Sequence, residues 1–247
     1  MFCPQPVTHT VRPGDNLYQL SLYYNTTVRS LLSQNPNVDP YNLQIGSALL
    51  ICPGENFVHN PNPPAIPDIS MQCALIGKMR KAWEQHVYWT RMLLISIAHR
   101  LADQPAVTAR LLQNPKDIAD IFAAYYNADV AKTIESLLTE HFQIGAALIT
   151  ALRDRKTAEA DKLKTQWYQN ADKMAEAFSG INPYFNYSEL RKMLYRHLDL
   201  TTQEVAMRLA GNFAADIKAF DEVEREALSM ADYFSMGIMR QFPQKFY

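Results

Sequence analysis

Thr10-Val11-Arg12-Pro13-Gly14-Asp15-Asn16-Leu17-Tyr18, then Asn25-Thr26-Thr27-Val28-Arg29-Ser30-Leu31-Leu32-Ser33-Gln34-Asn35-Pro36-Asn37-Val38, then Asn42-Leu43-Gln44-Ile45-Gly46-Ser47-Ala48-Leu49-Leu50-Ile51-Cys52 decide the fold at the start of the chain. Pro13-Gly14-Asp15 is turn chemistry. Asp15 is predicted to cap a helix whose positions Leu17, Leu20, Ser21 and Tyr24 keep roughly helical spacing. Residues 25–27 close that helix, and Val28, Leu31 and Leu32 give a second one its buried face. Residues 48–51 read as a buried strand.

Taken in order, a short strand ending at Arg12, the Gly14-Asp15-Asn16-Leu17 turn, two short helices, Asn35-Pro36 and Leu43-x-Ile45-Gly46 resemble a LysM module over residues 8–52. The resemblance implies a βααβ fold that binds N-acetylglucosamine-containing glycan, peptidoglycan or a chitin-like polymer, in a shallow groove. Matched by position, it implies Gly14, Asp15, Asn16 and Leu17 on one side of the groove and Asn42, Leu43, Gln44 and Ile45 on the other. Position 16 departs from the family's usual Thr, although Asn still offers a polar side chain. The same residues also read as turn and core positions. Both roles are compatible, because such sites bind largely through backbone amides.

With 247 residues, 48% hydrophobic and 20% charged, and a formal net charge of -1, the chain is long enough for one sizeable core plus a small module. No basic run supplies the footprint that nucleic acid requires, and the apolar stretch 92–98 is too short to span a membrane. Met1-Phe2-Cys3-Pro4 runs straight into the first strand without a basic n-region or an apolar h-region, so the sequence shows no signal peptide; either one is removed beforehand or the protein reaches its glycan without ordinary secretion. LysM proteins that spore-forming bacteria make in the mother cell and deposit on the spore are the precedent by resemblance. In an antiparallel βααβ pair Cys3 comes near Cys52, so a Cys3–Cys52 disulfide and two separate thiols both fit. Cys73 reads as a small buried hydrophobe.

The prolines between Cys52 and Ser70 sustain neither helix nor central strand. The expected organisation is a LysM module at 1–54, a Pro-rich linker at 55–70 and an all-α domain at 71–247. Six helices are predicted, near 71–102, 105–126, 129–154, 157–179, 187–210 and 212–240, with Asn114-Pro115 a point where the second kinks or splits. They form three αα-hairpin repeats. The odd helices carry His86, His141 and His197, spaced 55 and 56 apart; the even ones carry Ala119-Asp120, Ala171-Asp172 and Ala231-Asp232. The alanines allow close helix approach.

Two readings fit that repeat. In one, His86, His141, His197, Asp120, Asp172 and Asp232 form a transition-metal site at one level of the bundle, since imidazole and carboxylate suit Zn, Fe or Mn. In the other, each His hydrogen-bonds its Asp to fix hairpin register, and no cofactor is present. The aromatic residues Trp83, Tyr88, Trp89 and Trp167-Tyr168 read as core or as a sugar platform, with Arg91 and Glu84 at their rim.

The run Trp-Glu-Gln-His-Val-Tyr-Trp-Thr-Arg (83–91), Trp-Tyr-x-Asn-Ala-Asp (167–172), Ile-Asn-Pro-Tyr (181–184) and Arg-Gln-Phe-Pro (240–243) resembles a family of small helical proteins of spore-forming Gram-positive bacteria over residues 79–243. Members are sometimes labelled acetylglutamate kinase. An amino-acid kinase needs a central sheet and glycine-rich phosphate loops, and the five glycines of this half are scattered. No nucleophile–base pair is marked either. The reading is a glycan-binding module that anchors a helical interaction or assembly domain to the cell wall or spore; its alternatives are a metal-binding, ferritin-like bundle targeted to the wall, or a cell-wall hydrolase.

Overall fold

The computed structural model describes residues 6–40, 43–54 and 69–246. The expectations for Cys3, Asn42 and most of the Pro-rich segment fall outside them. The chain divides into two compact units, Met1–Cys73 together with Pro243–Tyr247, and Ala74–Phe242.

In the first unit, β1 (Val7–Thr10) pairs antiparallel with β2 (Ala48–Ile51), Val7 opposite Ile51 and Thr10 opposite Ala48. Between them lie α1 (Leu17–Tyr23) and α2 (Val28–Gln34). Val11, Leu17, Leu20, Tyr24, Leu31, Leu49 and Ile51 form the core. The cap of α1 is Asn16, whose side chain accepts from Gln19 N at 3.0 Å, one residue later than the Asp15 predicted from the sequence. Asp15 is committed elsewhere, to His9. Thr27 caps α2 by accepting from Ser30 N at 3.1 Å, and Asn25 makes the bend between the helices with φ 48°. The Asn35 amide lies along the outer edge of β2: Nδ2 donates to Leu50 O at 2.7 Å and Oδ1 accepts from Leu50 N at 2.8 Å. Cys52 is disulfide-bonded, and Cys73 is an exposed free thiol rather than the buried one expected.

The second unit is helical throughout its described residues, so it has no counterpart of a kinase's central sheet. Its helices are α3 (Ile69–Ala98, entered from the first unit), α4 (Gln104–Leu111), α5 (Asn114–Ala123), α6 (Ala128–Arg153), α7 (Thr157–Ile181), α8 (Tyr187–Leu209) and α9 (Phe213–Gln241). The second predicted helix is therefore two, broken before Asn114-Pro115. Pro115 lacks an N–H, and the Asn114 side chain donates to Ala82 O at 2.9 Å instead of capping its own helix. Tight turns at Arg155 (φ 56°) and Gly211 (φ 74°) reverse the chain between α6 and α7 and between α8 and α9.

Three contacts place α3 along α9. Arg80 meets Asp232, Tyr88 meets Glu224 and Arg91 meets Asp216, in opposite chain order, so the two helices are antiparallel. Against α8 the order is the same, His86 beside His197 and Arg91 beside Glu204, so these run parallel. Following α3 from one end to the other gives three layers. Trp83 belongs to an aromatic layer with Phe122, Phe178, Phe185 and Phe234; His86 belongs to a histidine layer; Arg91 belongs to a buried ion network.

Gly237 marks where the aromatic layer is tightest, since a Cβ there would stand 2.0 Å from the Phe185 ring. Gly237→Ala is expected to cost ~1–3 kcal/mol, read from the denaturation midpoint. Gly77→Ala meets nothing within 4 Å and is expected to gain up to ~1 kcal/mol.

Candidate functional site

The two turns expected to form the groove are joined through Val11: its N donates to Ser47 O at 2.8 Å and its O accepts from Gly46 N at 2.8 Å. The turn at 12–16 therefore lies beside the turn at 43–47. Gly14 and Gly46 both adopt left-handed backbone (φ 89° and 86°), which lets the main chain face outward without side-chain obstruction. Gly14, Gln44 and Ile45 are exposed, Asn16 and Leu43 half-buried, and Asn42 lies outside the described residues. Ile45, 68% exposed, is the most open of the large apolar side chains here.

Two of the expected groove residues have other duties. Leu17 is core. The Asp15 side chain, 1% exposed, accepts from His9 Nε2 at 2.6 Å and from Arg12 N at 2.7 Å. With Nε2–H donating to that carboxylate, His9 Nδ1 accepts from the Tyr24 hydroxyl at 3.0 Å. Burial, and next the neighbouring Tyr23, push the Tyr24 phenol above its usual pKa. Asp15 is thus a clamp that binds the turn to β1 and to the end of α1, and sequence matching missed His9 and Tyr24. Strand alternation held the clue, because Thr8 and Thr10 face solvent while His9 faces the core.

In the helical unit the three repeated histidines converge and the three aspartates do not join them. His197 lies 5.5 Å from His86 and 6.4 Å from His141 between ring centroids. Asp120 pairs with Lys116 at 2.7 Å, Asp172 with Arg191 at 2.6 Å and Asp232 with Arg80 at 2.7 Å, all on the surface. The expected His–Asp pairs are therefore corrected. Height holds in the second hairpin, where His141 meets Asn170, but not in the third, where Asp232 lies level with Arg80 and His197 beside Arg196, which meets Glu226. One residue also rotates a helix by about 100°, and it is Ala119, Ala171 and Ala231 that point inward. His141 Nδ1 instead faces Asn170 Oδ1 at 3.0 Å, while His86 approaches Thr90 and His197 Nδ1 is buried without a partner.

These residues do not fit a metal. No group of three or more His, Cys, Asp or Glu among the described residues is arranged to hold one. The His86 ring lies flat on Phe142 at 4.3 Å, and no carboxylate lines the cavity between the histidines. Burial holds His141 down to about 3 and His197 down to about 4; His86 falls well below the usual imidazole range through burial and the proximity of His197 and His141.

Farther along α3, Arg91 donates to Glu204 at 2.6 Å and to Asp216 at 2.9 Å, and Arg208 donates to Asp216 at 2.9 Å. Burial pushes Glu204 up to about 7 against the pull of Arg91. Arg91 was expected at the rim of an aromatic patch. Of that patch, Trp83 and Trp167 are core and Tyr88 is exposed, bonded to Glu224.

No helix among the described residues is long and apolar enough to cross a membrane. No curated protein and no solved structure matches the chain. Residues 9–51 match the family model described as LysM domain, and the antiparallel β1–β2 pair around α1 and α2 has the order expected of one. This segment of the chain is therefore a LysM domain, and it supports a role in binding peptidoglycan or another N-acetylglucosamine-containing glycan.

Proposed function

We propose that the LysM domain holds peptidoglycan between the turns at 12–16 and 43–46 and so fastens the helical unit to the cell wall or the spore surface. The observation that carries this is the family match at residues 9–51 together with the Val11 hydrogen bonds that set the two turns side by side. Gly14 and Gly46 keep the backbone open to a sugar, and Ile45 offers an apolar pad for an N-acetyl methyl group. Asn16, Leu43 and Gln44 complete the walls, while Asp15 and Leu17 act from below by holding the first turn. The helical unit supplies a surface for a protein partner or for self-assembly; exposed Met92, Tyr184, Tyr187, Ile217 and Met236 favour that role.

Sedimentation of the full chain with insoluble peptidoglycan, and with chitin in parallel, tests this. Ile45→Asp is expected to weaken binding tenfold or more, the equivalent of losing ~1.5 kcal/mol of apolar contact, with an unchanged melting temperature. Equal sedimentation of wild type and variant would place the groove elsewhere. Asp15→Ala removes both clamp bonds and is expected to destabilise the LysM domain by ~1–3 kcal/mol in calorimetry, with Asp15→Asn closer to wild type because its amide oxygen still accepts from His9 and Arg12.

A further inference from the structure

The proposed function leaves the buried histidine layer of the helical core without a role. His86 from α3, His141 from α6 and His197 from α8 enclose a cavity of about 20 Å³, with room for about one water. Its other polar lining is the hydroxyls of Thr90 and Thr201, and the latter is spent on His197 O. Leu93, Leu111, Phe142, Ile149 and Trp167 close the rest. Phe142 stacks on His86, and the Trp167 ring lies 5.2 Å from His141 while its Nε1 donates to His141 O.

No charge is available to balance a protonated imidazole here. Besides the histidines, α3 brings Thr90 and Leu93 to the cavity, α8 Thr201 and α4 Leu111, none of them charged, and α7 presents Asn170 to His141. Glu140 on α6 reaches His141 only through Asn170 Nδ2, which donates to it at 2.9 Å. Arg91, Glu204, Asp216 and Arg208 satisfy one another in the next layer, and no residue of α9 lines the cavity. Neutral rings fit this enclosure, whereas a first proton would sit unpaired in an apolar chamber, and a second would add repulsion across about 6 Å.

We propose that the three histidines form an acid-sensitive lock: the helical unit is closed with all three imidazoles neutral, and proton uptake releases α3 from α6 and α8. The opened chain presents Leu93, Phe142, Ile149 and Trp167 to solvent, an apolar surface that neutral pH keeps covered. The lock does not rest on the glycan reading.

The sign follows from linkage. All three imidazoles titrate lower when enclosed than when free, so the open form binds more protons as soon as pH falls below about 6.5. The stabilisation is complete above that value and is lost progressively below it, His197 contributing down to about 4 and His141 down to about 3. Each imidazole shifts the open–closed equilibrium by up to tenfold per pH unit in that window. Glu204 works oppositely, because burial raises it to about 7 and the open form then favours its ionised state. Glu226, whose carboxyl burial also raises, works in the same direction as Glu204, so three imidazoles leave roughly tenfold to a hundredfold per pH unit. Asp154, held at about 2 by Arg153, adds its own loss only below the ordinary carboxylate value, beneath the pH range of the test.

Urea unfolding of the full chain, followed by near-ultraviolet circular dichroism of its tryptophans at pH 7.5, 6.5, 5.5 and 4.5, tests the lock. Wild type is expected to lose stability steeply below pH 6.5. His197→Leu removes a buried unpartnered nitrogen, so it is expected to be at least as stable at pH 7.5 and to lose about tenfold less per pH unit. Superimposable pH profiles of the two proteins would overturn the proposal. If the variant does not fold, proton NMR of the wild-type imidazoles decides: three rings silent until the fold opens support the lock, and titration near pH 6.5 within an intact fold defeats it. Zn²⁺ or Ni²⁺ added at pH 7.5 is expected to leave the melting temperature unchanged; a rise would assign the layer to a metal and overturn the lock.

Discussion

The Arg91 guanidinium binds three helices at one point. It reaches from α3 to Glu204 on α8 and to Asp216 on α9, and Arg208 holds the far side of Asp216. Enclosing such a network carries a desolvation cost close to its attraction, so its main product is geometry rather than net stability. Two carboxylates that find their cation at one position of α3 leave that helix one register. Five residues back along α3, that register sets His86 against Phe142 and His197; eight back, it sets Trp83 against Phe234. The polar and aromatic layers are consequences of the same constraint.

Much of this was legible in the chain. Turn chemistry and apolar spacing located β2 and both small helices, the LysM resemblance supplied the first strand, and the predicted ends of four of the long helices fall within a few residues of the observed ones. The heights of His86, His141 and His197 were also readable, because their spacing is regular. Direction around a helix axis was not. Ala-Asp in each even helix is two adjacent residues about 100° apart, and a single sequence does not say which of the two faces inward. The structure assigns the inside to Ala119, Ala171 and Ala231 and leaves the aspartates to surface cations. In the first turn the cap expected at Asp15 is exchanged for one at Asn16, and Asp15 binds His9 and Arg12 instead.

That exchange explains why Asn16 is tolerated in place of the family's usual Thr. The position works as a helix cap through one side-chain oxygen, and Asn ranks among the best caps. Asp15, by contrast, answers to two donors at once, His9 Nε2–H and Arg12 N–H, and needs an oxygen that accepts both. In the proposed groove, recognition through main-chain atoms would place its demands on turn geometry, so residues a ligand never meets would matter to it as well.

Asn35 has a consequence beyond the sheet it touches. A two-stranded sheet presents open backbone edges to any other chain in extended conformation. By giving and receiving a hydrogen bond at Leu50, the Asn35 amide occupies the place where another strand would begin to pair along β2. The covering group comes from the end of α2, tied there by its bond to Leu31 O, so it arrives with the fold. The LysM domain thereby has its β2 edge blocked at that point against its own copies.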